Sequence, residues 1–359
     1  MRRNLSYLVI SSFVLIALFL AFQTPKDLIE SPKATNQIKA EIVAENLDIP
    51  WEIGFLPDGE LLVTERSGNL LKISKNYEEI KIEGVEHKGE GGLLGFVLHP
   101  KFEENNFIYL YMTTKTNLGL INRVERYKLA GYELVNKKII IDNIPGAAYH
   151  DGGRIKFGPD KKLYITTGDA TEPELAQDIN SLAGKILRLN DDGSIPDDNP
   201  FNNEIFSYGH RNPQGITWDD KGELWATEHG RSGVLSGLDE LNLVGKGKNY
   251  GWPEIEGNQE KEEMEIPIIN SGSDNTWAPA SAVFANDNIF FAGLRGEGLY
   301  QYNIKEKTLK EHFKGEFGRL RAVTLHDNFL YVSTSNRDGR GNEREGDDKI
   351  IRISIDSIL

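Results

Sequence analysis

The chain has no cysteine among its 359 residues. That excludes disulfides and thiolate-bound metals, so the redox compartment has to be read from other features. Helical periodicity is nearly absent after residue 24, which argues against a helical bundle. Long apolar runs are missing too, with one exception. Arg2 and Arg3 precede an apolar run from Tyr7 to Phe22, and polar Gln23-Thr24-Pro25-Lys26 follow. This is the plan of a signal peptide, although sixteen residues is long for its apolar region and slightly short for a spanning helix. No small-x-small cleavage motif follows the run. The expectation is a removed signal or an uncleaved membrane anchor over residues 1–24, a polar tether over 25–38, and a folded body over 39–359. Either way the body lies outside the cytoplasm, secreted, periplasmic or anchored to the outer face of the membrane.

Positive charge is also scarce. Lys and Arg number 41 against 55 Asp and Glu, a net charge of −14 that becomes −16 without residues 1–24. Such a surface repels nucleic acid and anionic lipid headgroups, so no nucleic-acid partner is expected. Basic residues gathered at one place on it would stand out.

What the chain has in quantity is glycine, 36 residues spread along its length, which points to many turns between short strands. One pattern recurs six times: a polar turn followed by an alternating strand that ends in a small or polar residue. The copies occupy residues 57–65, 104–113, 159–167, 220–228, 285–293 and 326–334. Each precedes a second strand, at 69–74, 123–129, 185–190, 239–244, 299–304 and 349–355. Six such units predict an all-β, six-bladed β-propeller, with the strand at Lys39–Asn46 available to complete the last blade. In that architecture the loops at one face bring distant residues together.

Those loops carry unusual chemistry. Tyr149–Asp169 opens with His150 in a glycine-rich turn beside Arg154 and closes at Gly168-Asp169. Histidine moves protons near neutral pH, although a turn histidine also commonly bonds a nearby carbonyl. The other loops are G-E-G-G-L-L-G-F (89–96), G-H-R-N-P-Q-G (209–215), E-H-G-R-S-G (228–233), D-E-L-N through N-Y-G-W-P (239–253) and G-R-L-R-A-V (318–323).

In this order the motifs resemble those of the glucose/sorbosone dehydrogenase family, soluble sugar dehydrogenases that depend on pyrroloquinoline quinone. The resemblance covers roughly residues 40–355, and it implies a six-bladed propeller, in agreement with the repeat count. It implies oxidation of an aldose to its lactone, with hydride passing from the anomeric carbon to the quinone and His150 taking the hydroxyl proton. Asp169 is a plausible partner that orients the site, or a turn cap.

The family's quinone-binding positions fall on Glu90, Arg211, Asn212, Arg295, Arg319 and Arg321. Arginine's planar fork suits the carboxylates of a flat tricarboxylate. One of the positions departs from the family pattern. Glu90 replaces a glutamine, and a carboxylate there repels the cofactor unless it is protonated or metal-bound. Arg295 supplies the basic residue that the family has there, commonly lysine. The resemblance also implies calcium, held by the carbonyls of Gly230 and Arg231 and, at a second place, by Glu240 and the Tyr250 carbonyl. Arg231 stands where the family usually has proline.

With no haem motif and no cysteine, the electrons must leave to an external acceptor. The sugar is not specified, since the long loop Glu254–Thr276 carries no readable motif. Two other readings remain open on this fold. One is a calcium-dependent lactonase, which would need acidic and asparagine side chains around a central metal and would have no use for convergent arginines. The other is a non-catalytic extracellular propeller that binds a sugar or a partner.

Overall fold

The computed structural model describes residues 39–117, 119–233 and 236–359, so the expected leader at 1–24 and tether at 25–38 lie outside the described residues. The strands form six antiparallel sheets of four strands each. In the first blade they run Pro50–Phe55, Leu61–Glu65, Asn69–Ile73 and Tyr77–Lys81. The innermost strands of successive blades touch one another around a ring, which closes between Leu320–His326 and Pro50–Phe55. This is the six-bladed β-propeller that the repeat predicts. Ala40–Ala44 pairs with Ile350–Ser354 as the outermost strand of the sixth blade. Opening the ring therefore requires breaking a ladder between the two ends of the folded body.

The recurrent pattern marks the second and third strands of each blade. P-D-K-K-L-Y-I-T-T yields Leu163–Thr167, and K-I-L-R-L-N yields Lys185–Leu189. The second strands Leu61–Glu65, Leu163–Thr167 and Leu224–Glu228 are buried at every position, because neighbouring blades cover both of their faces. Trp51, Leu94, Tyr109, Tyr111, Ile155 and Ile165 share one such inter-blade core. Each large apolar side chain removed from water there contributes about 1.5–3 kcal/mol.

The innermost strands fall within segments that read as loops in the sequence. Leu93–Leu98 begins inside G-E-G-G-L-L-G-F and Leu320–His326 begins inside G-R-L-R-A-V, and each runs on beyond its motif. Neither shows the strand alternation, because Arg321 interrupts the second with a polar side chain while the first is apolar at every position except Gly95. Arg154 in the third blade ion-pairs with Glu52 in the first and donates from Nε to the Gln214 carbonyl in the fourth, at 2.9 Å. Arg321 in the sixth blade donates to Gln214 Oε1 at 3.4 Å. Only the central channel lets four separate blades meet in this way.

Strand direction then places the site. In an up-and-down meander, the loop entering an inner strand and the loop leaving the adjacent second strand open at the same end. His150, Arg211, Asn212 and Arg319 precede inner strands, whereas Asp169, His229, Arg295 and Arg340 follow second strands. All eight therefore stand at one end of the ring.

Candidate active site

A cavity of ≈ 490 Å³ opens at this end. His150 reaches it from a turn with little freedom. Its φ is +62°, in the left-handed region. A Cβ on Gly168 would come within 1.9 Å of the His150 carbonyl oxygen, so glycine is required in T-G-D. Buried Asp151 accepts the Ala147 N–H at 3.1 Å and the Asn122 amide at 2.9 Å, and its carbonyl takes the Tyr111 hydroxyl at 2.7 Å.

His150 Nδ1 lies 2.7 Å from Asp169 Oδ1. The buried carboxylate accepts a hydrogen bond from Nδ1–H, which leaves the Nε2 lone pair for a bound molecule. Asp169 is itself held by the Trp252 indole N–H at 2.9 Å and the Thr171 N–H at 2.8 Å. It therefore serves both as turn cap and as the partner that orients His150.

The cavity walls include Glu90, His150, Arg211, Asn212, Arg231, Arg295 and Arg319. Arg211 donates to Ser232 Oγ at 2.9 Å and lies over the Trp252 ring at 5.3 Å, while its Nε is buried without a partner. Asn212 Oδ1 accepts the Gly152 N–H at 3.0 Å, tying two loops together. Arg295 is exposed at the rim, 3.3 Å from the Gly233 carbonyl. Arg321 is not among the walls. It is buried and bonded to Ser335 Oγ at 3.1 Å, and burial together with the Arg66 charge brings its pKa down to about 9. Arg319 and Arg321 both reach Asp338, at 2.8 and 3.6 Å.

Glu90 is resolved in a way the sequence does not anticipate. Its Oε1 pairs with Arg340 at 2.7 Å and its Oε2 accepts the His150 N–H at 3.1 Å. Burial opposes its charge, but His229, Arg340 and these hydrogen bonds outweigh that and hold the pKa at about 2, below the ordinary 4.5. Glu90 is thus an ionised carboxylate matched by an arginine, not a bare negative charge facing the cavity. A lowered carboxyl pKa gives stability that is present above pH ~4.5 and is lost as pH falls through ~2. Arg340→Ala is therefore expected to be less stable than the wild type at pH 7, with the gap closing toward pH 2. Denaturant titrations at a series of pH values check this; a gap that stays constant contradicts it.

Three residues at this end escape motif reading. Arg340 and His229 line the cavity. Arg66 is buried, with Nε 3.2 Å from His87 Nε2, and is electrostatically coupled to Asp338, Glu90, Arg340 and Arg319. Arg66 and Arg340 sit outside the six motifs, and nothing local distinguishes them from surface arginines. His229 stands inside E-H-G-R-S-G, where a second histidine at the same end of the ring as His150 was the available signal. Burial lowers its pKa to about 4, so it is neutral at pH 7.

The residues expected to hold calcium are divided. Gly230 and Arg231 border a small second cavity of ≈ 20 Å³ together with Glu228, Glu240, Tyr250 and Glu256. The Arg231 carbonyl already accepts the Gly237 N–H at 3.3 Å, and its guanidinium lies 3.7 Å from Glu256. Glu240 accepts from Asn242 at 3.1 Å and from the Gly257 N–H at 3.2 Å. Burial and the Glu228 charge push its pKa up to about 8. The Asn242 Oδ1 is buried without a partner. Among the described residues no three His, Asp or Glu side chains converge as a metal-binding set.

The chain matches the family profile "Glucose / Sorbosone dehydrogenase" over residues 47–351. It superposes on the pyrroloquinoline-quinone-bound aldose sugar dehydrogenase of Streptomyces coelicolor with a TM-score of 0.82 and 36% identity, covering 89% of this chain and 98% of that one. A Thermus thermophilus protein described as a putative oxidoreductase (glucose dehydrogenase) aligns with a TM-score of 0.83 and 40% identity, over 88% of this chain and 100% of that one. An aldose sugar dehydrogenase of Escherichia coli K12 is 35% identical over 237 residues, 60% of this chain and 62% of the relative.

Proposed function

We propose that this chain, which belongs to the glucose/sorbosone dehydrogenase family, is a pyrroloquinoline-quinone-dependent oxidoreductase that converts aldose sugars to lactones, with His150 as general base. The observation that carries the reading is the pairing of an oriented imidazole with arginines around one cavity. His150 is locked on Asp169 at 2.7 Å, and Arg211, Arg319 and Arg340 share the walls.

The residues present fit the quinone. The cavity is in the size range of small-molecule sites. Its guanidinium groups match a planar tricarboxylate, and the Arg211 Nε is a buried donor without a partner. Arg211, Asn212, Arg295 and Arg319 would hold the group, with Arg321 and Arg66 supplying positive charge from behind. The quinone would supply the hydride acceptor for the sugar's anomeric carbon. The protein's part is to place His150 Nε2 against the anomeric hydroxyl and remove its proton, while Asp169 stabilises the imidazolium that forms.

Calcium belongs to the same proposal. Glu240 and Glu228 border the small cavity and offer hard oxygen donors, as calcium prefers, and a bound cation would favour the ionised form of the Glu240 carboxyl. The Gly230 carbonyl would add a ligand at the cofactor side, whereas the Arg231 carbonyl is partly engaged by Gly237. The electron acceptor is external. The arginine-led apolar run at 7–22 supports placement outside the cytoplasm, released or anchored to the membrane.

The test is reconstitution of purified apo-protein with pyrroloquinoline quinone and calcium, followed by dye-linked oxidation of a panel of aldoses. Quinone-dependent turnover of at least one aldose is the expected result. Absence of both bound-quinone absorbance and turnover would reject the reading, and lactone hydrolysis without quinone would favour the lactonase.

A further inference from the structure

Most charged groups around the cavity have partners in the protein. His150 rests on Asp169, Glu90 on Arg340 and Arg319 on Asp338. Asp239 accepts hydrogen bonds from Gly230, Thr276, Trp277 and Ala278. His229 is different, because its Nε2 is buried and has no hydrogen-bond partner.

Its position is nonetheless well determined. The His229 N–H donates to the Asn212 carbonyl at 3.2 Å, and its own carbonyl accepts from Arg211 Nη1 at 3.5 Å. The residue is thus clamped to the two neighbours most directly implicated in cofactor binding. The residue borders both the large cavity and the ≈ 20 Å³ one. The nearby His210 shows how a purely structural histidine is treated in this fold. Its Nδ1 lies 2.8 Å from Glu228, its Nε2 2.8 Å from Ser207 Oγ, and its ring stacks on Tyr250.

A buried imidazole nitrogen left unsatisfied is costly, and native proteins rarely retain one without a use. Here two such atoms belong to residues that touch each other, His229 Nε2 and Arg211 Nε. One bound molecule with adjacent oxygen atoms would satisfy both. We propose that His229 is a cofactor-binding residue, which hydrogen-bonds an oxygen of the bound quinone and fixes its position beside Arg211. The proposal rests on the quinone reading above. It extends that reading to a residue that motif comparison did not select.

The experiment is a titration of apo-protein with pyrroloquinoline quinone, calcium present throughout, read by the absorbance of the bound quinone. Wild type, His229→Ala and His229→Gln are compared, and the thermal unfolding of each apo-protein is recorded. His229→Ala is expected to weaken the quinone Kd about tenfold, in the range of one hydrogen bond, and to shift the bound-quinone spectrum. His229→Gln, which keeps an N–H donor of comparable reach, should recover most of the affinity. Any fall in apo-protein stability should be limited to lost ring packing and be smaller than the loss in quinone binding, because the His229 Nε2 makes no hydrogen bond within the protein. Equal Kd and spectrum in wild type and His229→Ala overturn the proposal while leaving the quinone reading intact. A loss in His229→Ala that appears equally as apo-protein destabilisation and is not recovered in His229→Gln assigns the residue to packing, and also overturns it. Failure of the wild type to bind quinone removes both.

Discussion

His150→Ala is expected to lower kcat by about 10²–10⁴-fold, the range associated with a positioned general base, while leaving quinone affinity close to that of the wild type. The separation follows from geometry. The side chain of His150 uses Nδ1 to bond Asp169 and leaves Nε2 for the cavity, whereas the arginines that would hold the cofactor take their support elsewhere. Arg319 leans on Asp338, and Arg211 on Ser232 and Trp252. Removing the imidazole therefore deletes a proton acceptor without dismantling the anion-binding walls. Steady-state dye reduction gives kcat, and a quinone titration gives the affinity. Added imidazole should restore part of the rate, since it can occupy the vacated space and accept the same proton. Turnover of His150→Ala within a few-fold of the wild type would take the base role away from His150.

The second large effect concerns the axis and not the cavity. Glu52→Ala is expected to destabilise the apo-protein by about 3–5 kcal/mol, the usual cost of leaving a buried charge without its partner. Arg154 is fully buried, ion-paired with Glu52, and stacked over Trp51 at 4.1 Å. Burial already works against its charge, and Glu52 is the group that opposes this. Against a typical total stability of about 5–15 kcal/mol, such a loss is large. The midpoint of urea unfolding, measured without quinone or calcium so that binding does not mask the change, provides the check. Replacing both members with apolar residues, Glu52→Leu with Arg154→Met, should recover much of the loss, because the cost lies in the unpaired charge. A Glu52→Ala change below about 1 kcal/mol would show that water reaches Arg154 and screens it.

The two effects trace different kinds of information in the chain. The blade count was legible because each second strand is covered on both faces and must repeat the same apolar alternation, as in Leu61–Glu65 and Leu163–Thr167. His150 was legible because its turn needs glycines, one of them at Gly168 within 1.9 Å of a carbonyl oxygen had it carried a Cβ. Arg319 was legible as one of a pair in R-x-R. Inner strands were not: Arg321, turned to the channel, interrupts the alternation of Leu320–His326, and Leu93–Leu98 is apolar on both faces and so shows no alternation.

The sequence by itself therefore determined the architecture and most of the loops that line the cavity, His150 among their residues. These depend on local patterning and on backbone turns that admit few residue types. Tertiary structure alone decided which charge meets which. Glu90 finds Arg340 across 250 positions and Arg154 finds Glu52 across 102, contacts that exist only once the ring has closed. The same closure buries the His229 Nε2 without a partner and turns Arg321 into the channel, away from the cavity walls. A carboxylate or guanidinium has no fixed meaning until its neighbours are in place, because its charge state and role depend on burial and partners supplied by other blades.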